Sequence, residues 1–139
     1  MKTTTSSTLS ESENSTEPVK HFFFARHGLS HFNYKATKIE GQYGRKSAEY
    51  AALMQDPSNV DSDLVEPDGI LGAEATGESL KKLNFKYVWV SPLVRTMKTA
   101  IHMFKGHPNL ANIRFIVEPM IRAIHTTTQN MNMDVLELM

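Results

Sequence analysis

The chain has 139 residues and carries 15 basic and 15 acidic side chains, so its formal net charge is zero. This is the length of one globular domain, and the balanced charge argues against general binding to nucleic acid or to an anionic membrane surface. The sequence contains no cysteine, which excludes disulfides, thiolate catalysis and cysteine zinc sites. No apolar run approaches the roughly 20 residues that span a bilayer. We therefore expect a soluble protein, with the cytoplasm as the default compartment.

The first 18 residues, MKTTTSSTLSESENSTEP, consist almost entirely of threonine, serine, glutamate and asparagine. They offer too little apolar surface to offset the entropy of ordering them, so a disordered tail is predicted over residues 1–18. They also lack the apolar segment of a secretion signal, and their acidic residues argue against an organelle transit peptide. Residues 19–139 form the predicted domain.

Three short apolar runs predict buried strands. They are HFFFA at residues 21–25, YVWV at residues 87–90 and IRFIV at residues 113–117. Continuous apolar runs, rather than alternating ones, are typical of strands in a parallel sheet that helices cover on both faces.

The segments between these runs have helical patterns. Residues 69–84 and residues 94–104 repeat apolar side chains near the helical period, and residues 47–54 predict a shorter helix. Pro57 and Pro67 mark an irregular loop. The alternation of strands and helices predicts an α/β fold, with a parallel sheet in the middle of a three-layer sandwich.

Polar residues follow two of the predicted strands. Arg26, His27 and Gly28 come directly after the first strand, and Arg95 lies in the first turn of the helix that follows the second. Ligands of parallel sheets bind beyond the carboxyl ends of the strands, so we expect these side chains to share one site.

These residue types suit a phosphate ester. Two guanidinium forks can neutralise and orient a phosphoryl group from two sides, and helix N-termini add N–H donors. A neutral imidazole at His27 can act as the nucleophile. We expect Gly28 to let the backbone turn without a side chain that crowds the phosphate.

Two motifs resemble those of the histidine phosphatase superfamily, which includes the cofactor-dependent phosphoglycerate mutases. The first motif comprises Arg26, His27 and Gly28, followed by Ser30 and Asn33. The second comprises Ser91, Pro92, Leu93, Arg95, Thr96, Thr99 and Ala100. The resemblance covers roughly residues 21–125, and GILGAEATGESLKKLNF is similar to the helix that precedes the second motif.

The resemblance implies a role for each matching residue. His27 is the expected phosphorylated nucleophile, and Arg26 and Arg95 are expected to bind the phosphoryl oxygens. Ser30 and Asn33 would donate further hydrogen bonds to the phosphate. Neither a metal nor a cofactor is implied, and the expected ligand is a phosphorylated small molecule or another phosphoanion.

The sequence departs from the family pattern in two places. Ala123 occupies the position where the family places an acidic residue, usually Glu, that protonates the leaving oxygen; Glu118 lies five residues earlier. The second family histidine has no match, since His125 follows the third strand too early. The domain is therefore expected to be incomplete at its C-terminus, as a fragment, an isoform or a pseudoenzyme.

Two functions follow as alternatives. The first is a phosphatase or phosphomutase that acts through phosphohistidine. The second is a catalytically degenerate domain that serves as a structural or anion-binding subunit, with protein partners at the truncated sheet edge and the N-terminal tail. His27 and His31 are spaced like metal ligands on a helix, but no third ligand is evident. The sequence leaves the substrate and the oligomeric state open.

Overall fold

The computed structural model describes residues 18–123 and 128–130. The helices in these ranges are α1 His31–Tyr43, α2 Ala48–Gln55, α3 Asp68–Leu80 and α4 Val94–Phe104, and the strands are β1 Tyr87–Val90 and β2 Arg114–Val117. Short 3₁₀ turns occupy Pro57–Asn59, Leu110–Asn112, Pro119–Ile121 and Thr128–Asn130. Apart from Pro18, the predicted tail lies outside the described residues, as does His125. No helix in the described ranges has both the length and the apolarity needed to cross a membrane.

The two strands form a parallel pair connected through α4. Their register runs from Tyr87 opposite Arg114 to Val90 opposite Val117. The Glu118 N–H continues the ladder by donating to the Val90 carbonyl oxygen at 2.8 Å. These strands confirm the second and third predicted runs, although β2 begins one residue later than expected. The α/β class and the parallel sheet are therefore confirmed.

The two faces of this sheet differ in what covers them. Side chains alternate between faces along a strand, and Val88 packs against the apolar cluster of Met103, Phe104 and Ile113 beneath α4. On the opposite face, Tyr87 is 45% exposed and Trp89 is 57% exposed. The described residues thus supply the sheet and one helical layer of the predicted three-layer arrangement.

The prediction of a strand at residues 21–25 is wrong. Residues 21–25 are assigned to no strand, and within the described chain no backbone hydrogen bond joins them to another segment. Phe24 is 96% exposed, whereas Phe23 makes an edge-to-face contact with Phe85 at 5.7 Å between ring centroids. An apolar run favours an extended backbone, but a strand forms only where a neighbouring edge accepts its hydrogen bonds.

The packing of α3 on α4 follows from small residues on α3. Gly69, Ala73 and Gly77 recur every fourth residue and are all buried. A Cβ atom at Gly77 would lie 2.1 Å from the Met103 carbonyl oxygen, so glycine allows the two helices to approach closely. The predicted helix at residues 94–104 is confirmed with its boundaries, whereas α3 ends at Leu80, four residues earlier than expected.

Helix α1 is not among the sequence predictions, although its apolar face is visible in the sequence. Phe32, Ala36 and Leu53 form a buried cluster between α1 and α2, and Ile39 packs against it. The spacing of Phe32, Ala36 and Ile39 follows the helical period. This helix pair places the first turn of α1 directly after Arg26, His27 and Gly28. The shorter predicted helix corresponds to α2.

Candidate active site

The loop that contains His27 is held between α3 and α4. The Gly28 N–H donates to Thr99 Oγ1 at 2.9 Å, and the Thr99 hydroxyl donates to the Arg95 carbonyl one helical turn earlier at 2.6 Å. A Cβ atom at Gly28 would lie 2.5 Å from the Gly69 carbonyl oxygen. The glycine is therefore required by its close approach to α3, and the expectation that it leaves room for a phosphate stays a prediction.

The His27 ring is half-buried and has a fixed tautomer. Its Nδ1 lies 2.7 Å from the Gly28 carbonyl oxygen. A carbonyl only accepts hydrogen bonds, so Nδ1 carries the proton and Nε2 holds the lone pair when the ring is neutral. Burial lowers the pKa of His27; the Gly28 carbonyl opposes this shift, and the positive charges of Arg95 and Arg26 add to it. The ring is consequently mostly neutral at pH 7, with a free lone pair on Nε2.

A small pocket of about 300 Å³ opens in front of this ring. We call it the His27 pocket; its lining residues are Arg26, His27, Gly28, Leu29, Asn33 and Thr37. Asn33 belongs to the first turn of α1, where the positive end of the helix dipole favours anions, although the N–H groups of this turn already donate to Asp63, Ser62 and Ser30. The pocket thus combines an exposed guanidinium, a helix start and a neutral imidazole, and these groups can bind a phosphoryl group.

Ser30 lies at the start of α1 but does not line the pocket. Its side chain is fully buried, and its hydroxyl accepts a hydrogen bond from the Asn33 N–H at 3.2 Å. Ser30 is therefore the N-cap of α1. By capping the helix, Ser30 fixes the position of Asn33 beside the pocket. Its contact with phosphate stays a prediction.

Arg95 is buried behind the site rather than exposed in it. Only 2% of its surface is accessible, and its terminal nitrogens donate to the Gln129 carbonyl at 2.7 Å and to Asn130 Oδ1 at 2.8 Å. Its Nε is buried and has no hydrogen-bond partner among the described residues. Burial lowers the pKa of this guanidinium, and the nearby Asp61 carboxylate opposes the shift.

The structure therefore brings together Arg26, His27 and Asn33 of the five predicted site residues, while Arg95 acts on His27 through its charge. Sequence reasoning missed Gln129 and Asn130 as partners of Arg95, because no local pattern connects positions 34 residues apart. It also missed Thr37, which lines the pocket and lies one helical turn after Asn33; the α1 periodicity was the available signal.

The sequence predicts that the general acid is missing, and the residues that line the His27 pocket bear on this prediction. Ala123 is exposed and is not among the lining residues. Of the described residues, those that line the His27 pocket include no carboxylate. Among the described residues that line this pocket, no carboxylic acid is therefore available to protonate a leaving group.

Fold and site together define an α/β protein with a pocket lined by an arginine, an asparagine and a neutral histidine. The family model of the histidine phosphatase superfamily, branch 1, matches residues 22–126, about three quarters of the chain. The chain therefore belongs to the histidine phosphatase superfamily, which confirms the resemblance of its two motifs and supports phosphoryl transfer in general. No curated protein sequence matches the chain.

Proposed function

We propose that this domain transfers the phosphoryl group of a phosphomonoester through a phosphohistidine intermediate at His27. The observation that carries the proposal is the state of the ring: the Nδ1 bond to the Gly28 carbonyl and the lowered pKa leave Nε2 unprotonated, and His27 lines the pocket. Hydrolysis and isomerisation share this first step, so the proposal covers both a phosphatase and a mutase.

In the proposed reaction, Nε2 attacks phosphorus and forms the N–P bond while the bond from phosphorus to the ester oxygen breaks. The leaving oxygen takes its proton from water, because no carboxylate lines the pocket in the described chain. Water then attacks the phosphorus, the N–P bond breaks, and inorganic phosphate and neutral His27 are restored. In a mutase, a second hydroxyl replaces this water.

Arg26 and the side chain of Asn33 bind the phosphoryl oxygens in this scheme, and the Arg95 guanidinium supplies a second positive charge. For direct contact, the terminal nitrogens of Arg95 exchange the Gln129 carbonyl and Asn130 Oδ1 for phosphoryl oxygens. Both present partners are neutral acceptors, and a charged acceptor forms the stronger hydrogen bond with a guanidinium.

The test is turnover of an aryl phosphate by the purified chain and by its His27→Ala variant. We expect His27→Ala to lose roughly 10³-fold or more in rate, as enzymes do when their nucleophile is removed. Mass spectrometry of the wild type quenched at alkaline pH should locate a phosphoryl group on the peptide containing His27, and this group should be lost in acid. His102→Ala is the matched control, since His102 lies on α4 with Glu74 as its partner. Unchanged activity of His27→Ala would contradict the proposal.

A second candidate is an anion-binding or structural subunit that does not turn its ligand over. Ala123 at the general-acid position and the carboxylate-free pocket lining favour it. This candidate predicts that phosphate or vanadate raises the melting temperature, that Arg95→Ala removes the effect, and that no aryl phosphate is hydrolysed. Its protein partners would contact the exposed sheet face at Tyr87 and Trp89 and the N-terminal tail. Efficient turnover that depends on His27 would exclude this candidate.

A further inference from the structure

One side of the parallel sheet lies away from α4 and carries exposed aromatic side chains. Val88 and Phe115, which are opposite each other in the register, both contact the apolar residues beneath α4. Because side chains alternate along a strand, the β1 residues Tyr87 and Trp89 point to the other side of the sheet. Both of these aromatic residues are exposed. We call this side the open face.

Strand β2 and the residue that follows it add three more side chains to the open face. Arg114 lies opposite Tyr87, and Ile116 lies opposite Trp89. Glu118 continues the same alternation, because its backbone is extended and its N–H extends the ladder to β1. The open face therefore has an apolar centre, formed by Trp89 and Ile116, between a cation at one end and an anion at the other.

The two charges lie at equal distances from the centre of the open face. Arg114 comes two residues before Ile116 and Glu118 two residues after it, so each is about 7 Å from the centre along the strand. Arg114 forms no ion pair within the described ranges. The Glu118 carboxylate accepts a hydrogen bond from the Met120 N–H at 2.9 Å, and a carboxylate can accept several. Both groups can therefore bind a further charged partner.

This arrangement is complementary to itself. A two-fold axis that lies between two copies and runs across their strands reverses the strand direction. Arg114 of each copy then faces Glu118 of the other copy, so the ion pair occurs twice. The same rotation places Trp89 against Trp89 and Ile116 against Ile116. Stacked sheets lie about 10 Å apart, and an arginine and a glutamate side chain together bridge that gap.

Other occupants fit the open face less well. A membrane surface or a partner of one charge would attract one end of the face and repel the other. A purely apolar segment would bury both charges without giving them hydrogen-bond partners, which is costly. A second copy of the chain supplies the apolar contact and also the two opposite charges in the required order.

We propose that the open face is a homodimer interface, in which two copies of this chain pack sheet against sheet. The inference does not depend on the chemistry at His27. Two paired strands of this length present a face of roughly 10 by 16 Å. This is small beside the roughly 800 Å² per partner of a standard interface, so we expect a weak dimer with a Kd of about 10–100 µM.

The test is sedimentation velocity of the full chain over concentrations that span this Kd, together with tryptophan fluorescence. The chain contains one tryptophan, so the emission of Trp89 reports directly on the open face. We expect the sedimentation coefficient to rise with concentration from that of a monomer to that of a dimer. Over the same range the emission should shift to shorter wavelength, because the indole ring leaves water.

Charge reversal tests the two-fold arrangement. Arg114→Glu and Glu118→Arg each place like charges opposite one another twice, so each should raise the Kd roughly tenfold or more. The double variant restores two opposite pairs in reverse order and should return the Kd to within roughly threefold of the wild type. Trp89→Asp should abolish the dimer. The matched controls are Lys46→Glu, in the loop between α1 and α2, and Leu71→Asp on α3, where the leucine is 56% exposed against 57% for Trp89; both should leave the Kd unchanged.

Three results would overturn the inference, and none of them bears on the phosphoryl-transfer proposal. The first is a chain that stays monomeric; if its tryptophan emission lies at short wavelength at every concentration, another part of the same chain covers the open face. The second is a dimer that survives Trp89→Asp, since it uses a different surface. The third is a dimer that both single reversals weaken but the double variant does not restore. A circular dichroism spectrum identical to that of the wild type verifies that each variant is folded.

Discussion

The close approach of the His27 loop to α3 can be tested by Gly28→Ala. The new Cβ atom would lie 2.5 Å from the Gly69 carbonyl oxygen and 3.3 Å from its carbonyl carbon. Both atoms belong to the backbone of α3, so no side chain can move aside, and the loop or the helix has to shift by about 0.5 Å. Overpacking of this kind costs about 1–3 kcal/mol in free energy of unfolding.

Gly72→Ala is the matched control for this experiment, because it makes the same chemical change within α3. A Cβ atom at Gly72 would meet no atom within 4 Å. Alanine is a better helix former than glycine, so we expect a gain of roughly 0.5–1 kcal/mol. The two variants should therefore change the stability in opposite directions.

The assay is urea unfolding followed by circular dichroism, together with the melting temperature. For a chain of this size 1 kcal/mol corresponds to roughly 3–4 °C, so Gly28→Ala should melt about 3–12 °C below the wild type and Gly72→Ala about 2–4 °C above it. A Gly28→Ala protein as stable as the wild type would refute the close approach of the His27 loop to α3.

Two further predictions concern His27 and Ser30. Because the pKa of His27 is lowered on folding, the unfolded chain binds more protons below the ordinary value of 6.5, and this stability contribution is present above that value and lost as the pH falls. His27→Asn should therefore flatten the dependence of unfolding free energy on pH over this range, whereas an unchanged slope would mean that His27 is not desolvated. Ser30→Ala removes the N-cap of α1 and should cost about 1 kcal/mol, measured by urea unfolding; equal stability would contradict the capping role.

The helical part of the fold was readable from local patterns. The spacing of apolar residues along α4 defined both of its ends, and the small residues Ala73 and Gly77 marked the face of α3 that packs on α4. The runs at Tyr87–Val90 and Arg114–Val117 were equally clear as strands. Each of these patterns lies within one segment. It is explained by the burial of that segment's apolar side chains against a neighbouring element.

Residues 21–25 show the limit of such patterns. Their composition is as apolar as that of β1, yet the structure gives them no strand, and Phe22 and Phe24 are exposed. Pairing depends on a second edge that lies elsewhere in the chain, and a single run carries no information about that edge. Composition therefore indicated an extended segment but not its neighbour.

The sequence by itself determined the family, and it supplied the prediction of the phosphate-binding residue types and of His27 as nucleophile, because these depend on side-chain chemistry at fixed local spacings. Only the tertiary structure decided where each of these residues lies and which groups it contacts. Arg95 lies beneath Gln129 and Asn130, and Gly28 is required by its contact with Gly69. These relations join segments that are distant along the chain, and burial and backbone distance are set only when those segments pack together.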